Sequence, residues 1–184
     1  MSKFYVLNPG AATRYYFLDL DLASMEEAAS DWSYRQLASF KGTAHFGVEK
    51  GTTPADFLDT NCALIVVSDR VIDLLQKHNL NGYATYDVRV MKGGNEIEGY
   101  RGLAIVGRGG PNEPSLVTHY KTSSGASSRR ISGIRPTAWD GSSLFTVDDL
   151  YRIVLVTEDV KSMFEREKIT NCIFQPAEDF SIGY

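Results

Sequence analysis

The stretch ALIVVSDRVIDLLQKHNLNGYATYDVRV, Ala63 to Val90, is the one segment where a strand, a helix start, a helix and a returning strand follow without a gap. Leu64 to Val67 is apolar, rich in β-branched residues and too short for a helix, which is the pattern of a strand buried on both faces. The Ser68 hydroxyl can cap the next turn, and Asp69 suits the positive end of a helix dipole. Val71, Leu74, Leu75 and His78 recur at helical spacing while Arg70, Asp73, Gln76 and Lys77 take the other face, so a helix laid on a sheet is predicted. Asn81-Gly82 is the expected stop, because glycine takes positive φ freely, and Ala84 to Val90 alternates as a strand does.

A shift of 89 positions, from Ser68 to Thr157, brings the same grammar round again in IVLVTEDVKSMFEREKITNCIF, Ile153 to Phe174. Asp69 maps to Glu158, Val71 to Val160, Leu74 to Met163, Leu75 to Phe164 and Leu80 to Ile169. Two readings stay open: an internal duplication, or the likeness that any strand followed by a capped amphipathic helix shares. Under either, each helix must cover a sheet face, which implies one layered α+β domain over residues 1–184. Its sheet is expected to be mixed and mostly antiparallel, with similar units at about 63–90 and 152–176 and quasi-repeat halves at about 43–112 and 137–180.

Outside the two units the signals are shorter. Lys3–Leu7 and Tyr15–Leu20 read as strands joined through Asn8-Pro9-Gly10, an N-terminal hairpin. Met25, Ala28, Ala29, Trp32 and Leu37 form an interrupted helical stripe between Ser24 and Phe40. Thr43–Val48 alternates as a short strand, and Thr53-Pro54-Ala55-Asp56 carries a cap residue before a proline, the start of a short helical turn holding Phe57 and Leu58. Lys92-Gly93-Gly94-Asn95 is a turn, and Leu103–Val106 a compact strand in an antiparallel neighbourhood. Residues 113–136 lose the apolar runs, and Lys121 to Ser128 is nearly all small and polar, so an exposed, mobile loop is expected. Trp139-Asp140-Gly141-Ser142 restores a turn, and Thr146 with Asp148 and Asp149 suggests a short helix start.

At 184 residues and 43% hydrophobic content the chain can bury roughly 70% of its unfolded surface without staples. The two cysteines, Cys62 and Cys172, lack zinc-site spacing and read as reduced core residues, which fits a cytoplasmic protein. No basic segment precedes a long apolar run, so neither a secretory signal nor a membrane span is expected. A net charge of −4 argues against a global nucleic-acid binder.

His45, His78 and His119 lack metal-ligand spacing and any attached nucleophile, and they read as structural, so no metal site is expected. Asp19 with Asp21, and Asp148 with Asp149, are explained by solvated faces and helix starts. Gly107, Arg108 and Gly110, in the run ending at Pro111, have the composition of an anion-cradling turn. That run lacks the lysine and hydroxyl of a nucleotide-binding loop, and a tight turn is the plainer reading. Arg129, Arg130, Arg135 and Trp139 are the candidate anchors for a protein partner, since few aromatics accompany the arginines for base stacking.

Four segments, VVSDRVIDLLQKHNLNGYATYDVRV, GGNEIEGYRGLAIVGRGGP, TAWDGSSLF and IVLVTEDVKSMFEREKITNCIF, resemble a family of bacterial immunity proteins from polymorphic toxin systems, once known only as a domain of unknown function. Its members share a GNEIxGYxGLxVxGRxGP core, matched here by Asn95, Glu96, Ile97, Gly99, Tyr100, Gly102, Leu103, Gly107, Arg108, Gly110 and Pro111, and a WDGSDFF segment. The resemblance runs over most of Thr53 to Phe174 and is weaker in the first fifty residues. Gly109 stands where cysteine is common, Ser143-Leu144 replaces the acidic-aromatic pair, and Pro114–Pro136 is divergent. The resemblance implies a cytoplasmic protein that binds a cognate toxin and blocks it, with no catalysis and no cofactor. It supplies no agreed contact residues. The alternative is a small-ligand binder or an enzyme that uses the Gly107–Pro111 turn.

Overall fold

The computed structural model describes residues 3–10, 13–21, 38–62 and 64–183. In chain order come β1 (Phe4–Pro9), β2 (Phe17–Leu20), β3 (Thr43–Lys50), β4 (Phe57–Thr60), β5 (Ile65–Ser68), helix α1 (Asp69–Lys77), β6 (Tyr83–Lys92), β7 (Asn95–Ile97) and β8 (Tyr100–Ile105). Then follow β9 (Gly107–Gly109), β10 (Val117–Lys121), β11 (Ser127–Ser132), β12 (Leu144–Val147), β13 (Leu150–Thr157), α2 (Glu158–Arg166), β14 (Cys172–Pro176) and β15 (Ser181–Gly183). The class is α+β, as the patterning predicts, with the strands divided among three sheets.

Both strand-helix-strand units form, and each encloses a strand from elsewhere. β8 lies between β5 and β6, antiparallel to both, so those two run parallel with α1 as the crossover. β1 lies in the same way between β13 and β14. The shift of 89 positions persists at the helix ends. Asn79 and Lys168 take positive φ, 52° and 54°, and their amides donate to the carbonyls of Gln76 and Glu165. The amides of Leu80 and Ile169 reach back to Leu75 and Phe164, closing two left-handed caps of one design.

Three details correct the reading of the first unit. Its helix ends at Lys77 with the left-handed residue at Asn79, not at Asn81-Gly82; the positive φ of Gly82 serves a close approach instead, since a Cβ there would lie 2.0 Å from the Leu144 carbonyl oxygen. Ser68 holds the N-cap position without capping, because its hydroxyl donates to Asp56 at 2.8 Å. His78 is exposed, and Ile72 joins the buried face in its place.

The five-stranded sheet, ordered β14-β1-β13-β12-β9, buries both faces. Tyr5, Leu7, Leu144, Val154 and Val156 join both helices and the larger sheet in one core. Val6, Phe145, Val147 and Leu155 meet Ile131, Ile134 and Phe180 in a second core under the small sheet β10-β11-β15. The larger sheet runs β3-β2-β4-β5-β8-β6-β7, and β3 also pairs in parallel with β6, so the ladder closes on itself.

The expected N-terminal hairpin is not formed: β1 and β2 belong to different sheets, because β14 and β13 hold both edges of β1. Residues 113–136 are not a loop. They hold a short 3-10 turn, Pro114–Leu116, and the β10–β11 hairpin, which needs one apolar stripe, Val117 and Ile131, to lie on the core. Thr53-Pro54 starts no helix, since Thr53 bridges Tyr15 and Asp56 turns its carboxylate to Ser68, Arg70 and Thr170. Asp148-Asp149 is the turn between β12 and β13 rather than a helix start. The stripe read between Ser24 and Phe40 lies outside the described residues except at its end, where Ala38 and Ser39 are helical.

Candidate functional site

The GYRGLAIVGRGGP and TAWDGSSLF segments meet in space and zip together. The amide of Arg108 donates to Asp140 Oδ2 at 2.8 Å, and the Asp140 amide returns to the Arg108 carbonyl at 3.0 Å. Gly109 bridges Trp139, Gly110 donates to Ala138, and Thr137 donates to Pro111. Burial pushes the Asp140 carboxyl up, but hydrogen bonds from Ser142 and from backbone amides outweigh it and hold it below its usual range. The glycines are there for contact: a Cβ on Gly107 would meet the Leu144 carbonyl oxygen at 2.2 Å, and one on Gly102 would meet the Tyr86 ring at 2.1 Å.

This geometry speaks for the plainer reading of Gly107, Arg108 and Gly110 as backbone-paired structure over the anion-cradling alternative. Their amides donate to Gly82, Asp140 and Ala138, so none of the three is offered to a ligand. The Arg108 guanidinium turns inward as well, donating to Thr146 Oγ1 at 2.8 Å and to the Gly107 carbonyl at 3.0 Å. In this turn backbone pairing replaces anion binding.

The four candidate anchors do not form one patch. Arg129 and Arg130 are neighbours on β11 and project to opposite faces. Arg129 shares the Ile131 side, half-buried, and donates to the Asp149 carbonyl at 3.3 Å; Arg130 is exposed on the other face. Arg135 and Trp139 do converge. They line a surface cavity of about 400 Å³ together with Lys3, Phe4, Ile134, Pro136, Ala138, Ala177 and Glu178. No family model matches the chain, and no curated protein matches it either.

The cavity has an aromatic wall and a charged rim. Trp139 stands edge-on to Phe4, with ring centroids 5.2 Å apart, and tilted against the buried Phe145 at 5.9 Å, while its indole N–H donates to the Ser142 carbonyl. It is still 37% exposed, so a rigidly held aromatic surface faces outward. On the rim, Arg135 pairs with Glu113 at 2.8 Å; the Ser115 hydroxyl and then Arg135 hold the Glu113 carboxyl below its usual range. Lys3 and Glu178 complete it, with the Lys3 ammonium raised chiefly by its hydrogen bond to Tyr5. Sequence reasoning reached Arg135 and Trp139 and missed Lys3, Phe4 and Glu178, which β1 and the segment after β14 carry to the same place. No local pattern announces that convergence. Among the described residues no group of three or more His, Cys, Asp or Glu side chains could hold a metal ion, and no helix is long and apolar enough to cross a membrane.

Proposed function

We propose that this chain is a binding protein that engages a cognate bacterial toxin domain through the Trp139–Arg135 cavity and blocks it by contact, without chemistry of its own and in the cytoplasm. The toxin is what the resemblance to immunity proteins implies. The observation that carries the binding reading is the cavity: an immobilised, outward-facing tryptophan backed by Phe4 and Phe145 and ringed by Lys3, Arg135 and Glu178. Interface hot spots have this composition, with a rigid aromatic or arginine anchor inside a polar rim. One of the four segments that carry the resemblance, TAWDGSSLF, supplies Ala138 and Trp139 to the cavity wall, which supports the same reading.

The test pairs the protein with the product of the neighbouring gene. Arg135→Glu with Lys3→Glu reverses the rim and spares the core, and should weaken toxin affinity by about 2 kcal/mol or more, in large part through slower association with an altered salt dependence. Arg130→Ala, on the far face of β11, should change nothing. Unchanged affinity and protection in the rim variant would overturn the proposed site. A neighbouring gene product that the wild-type protein does not bind would overturn the proposed function.

A further inference from the structure

A second concavity lies between β2, β4 and the turn before β14. It encloses about 190 Å³ and is lined by Gly10, Thr13, Tyr15, Tyr16, Phe17, Lys50, Asp59 and Asn171. Three consecutive aromatic residues form one side, and two oxygen acceptors stand among the remaining groups. Asn171 donates through Nδ2 to the Phe57 carbonyl at 2.8 Å, which fixes its amide so that Oδ1 is buried with no hydrogen-bond partner. Asp59 sits opposite Phe17 in the parallel β2–β4 ladder, half-buried, and receives only the Thr60 amide at 3.0 Å. Among the described residues no ion pair neutralises it, and the one cation on the cavity wall is Lys50, which pairs with Glu49 at 3.1 Å and lies 5.5 Å from the Phe17 ring centroid.

A half-buried carboxylate with lone pairs still unused, beside ring faces, selects a positive charge that carries N–H or polarised C–H groups. The adjoining rings already draw cations from the chain itself: Arg14 lies 4.6 Å from the Tyr15 ring centroid and Lys92 4.3 Å from that of Tyr16. Gly10 packs closely against the Asn171 amide, where a Cβ would stand 3.0 Å from Oδ1. Burial also holds the Asp59 carboxyl above its usual range, the response of a carboxylate that lacks a counterion.

We propose that this cavity binds an organic cation, an alkylammonium or guanidinium head, with Asp59 as counterion, the Tyr15–Phe17 segment as the aromatic wall and the fixed Asn171 amide beside it. The head could belong to a small molecule or to a lysine or arginine of a partner protein, and the chemistry of recognition is the same. This site is separate from the Trp139 cavity, so the two proposals stand or fall independently.

The experiment is an NMR titration of the full chain with methylguanidinium, tetramethylammonium and a capped Gly-Arg-Gly peptide, each against sodium chloride at equal ionic strength. Saturable shifts of the Asn171 side-chain amide and the Thr60 amide with an organic cation, absent with sodium, are expected. Asp59→Asn is isosteric and should weaken binding at least tenfold while the unfolding midpoint is kept. Lys50→Ala, which leaves Asp59 as the only charge on the wall, should tighten it. A peptide that binds tenfold better than methylguanidinium assigns the head to a partner's side chain; equal or weaker binding assigns it to a small molecule. No saturable shift with any probe up to tens of millimolar, or binding indifferent to Asp59→Asn, would overturn the proposal.

Discussion

Asp56 bolts the two units together, and its removal is the sharpest test of the architecture. Its carboxylate is 11% exposed; Oδ1 accepts from the Ser68 hydroxyl, and Oδ2 accepts from Arg70 and from both the amide and the hydroxyl of Thr170. Thr170 belongs to the second unit and the other donors to the first. Hydrogen bonds to a charged group contribute about 1.5–3 kcal/mol each, but these losses do not simply add. In Asp56→Ala the Ser68 hydroxyl can return to the helix cap and the half-exposed Arg70 can rehydrate, which leaves the Thr170 amide as the main orphan. We expect a loss of about 3–4 kcal/mol, a large share of a typical total stability. With a urea slope of about 2 kcal/mol/M for a chain of this size, the midpoint at pH 7 should fall by about 1.5–2 M. Arg70→Ala, 49% exposed on its side chain, should cost under about 1 kcal/mol. A loss below about 1 kcal/mol for Asp56→Ala, or equal losses in the two variants, would refute the view that this carboxylate joins the halves.

Burial, with Asp56 and Tyr16 adding to it, raises the Tyr100 phenol to about 12 from an ordinary 10.0. Unfolded tyrosine therefore ionises first, so the native advantage from this group should be whole below pH 10 and vanish as the pH climbs to about 12, which ultraviolet titration alongside denaturation at each pH will show. Burial likewise pushes the Cys172 thiol up to about 12, and iodoacetamide at pH 8 should label it only as the protein opens, read by mass spectrometry of the peptide; prompt labelling of folded protein would contradict this. Gly102→Ala places a methyl against the buried Tyr86 ring and should cost about 1–3 kcal/mol, with a smaller cost in a Tyr86→Ala background; additive losses would show that the two do not touch.

Local chemistry in the sequence carried the units and not their assembly. Val71, Leu74 and Leu75, with their counterparts Val160, Met163 and Phe164, were legible because helical spacing is written in a single turn of chain. The strand that completes each unit was not, since nothing in FYVLNP says that it pairs with residues 155–157 on one edge and 172–176 on the other. Polarity hid the β10–β11 hairpin: a strand with one face in water needs few apolar residues, and here Val117 and Ile131 supply the stripe. Cap signals misled at Thr53 and Asp149 because tertiary partners took those groups first. Asp149 instead accepts the Asn112 amide at 2.9 Å. At the cavity, Trp139 and Arg135 stood out as residue types suited to binding, whereas Phe4 and Glu178 gain meaning only from where the sheets deliver them.

The position of β1 at the centre of its sheet sets an order for biosynthesis. Residues 4–9 are synthesised long before their partners in β13 and β14, which are complete only once residue 176 has been added. At about 5–20 residues per second the nascent apolar segment waits on the order of ten seconds, without the two strands that will flank it. An early strand must thus be inserted between two late ones, and a chaperone that shields FYVLNP in the interval would raise yield without touching the stability of the finished protein.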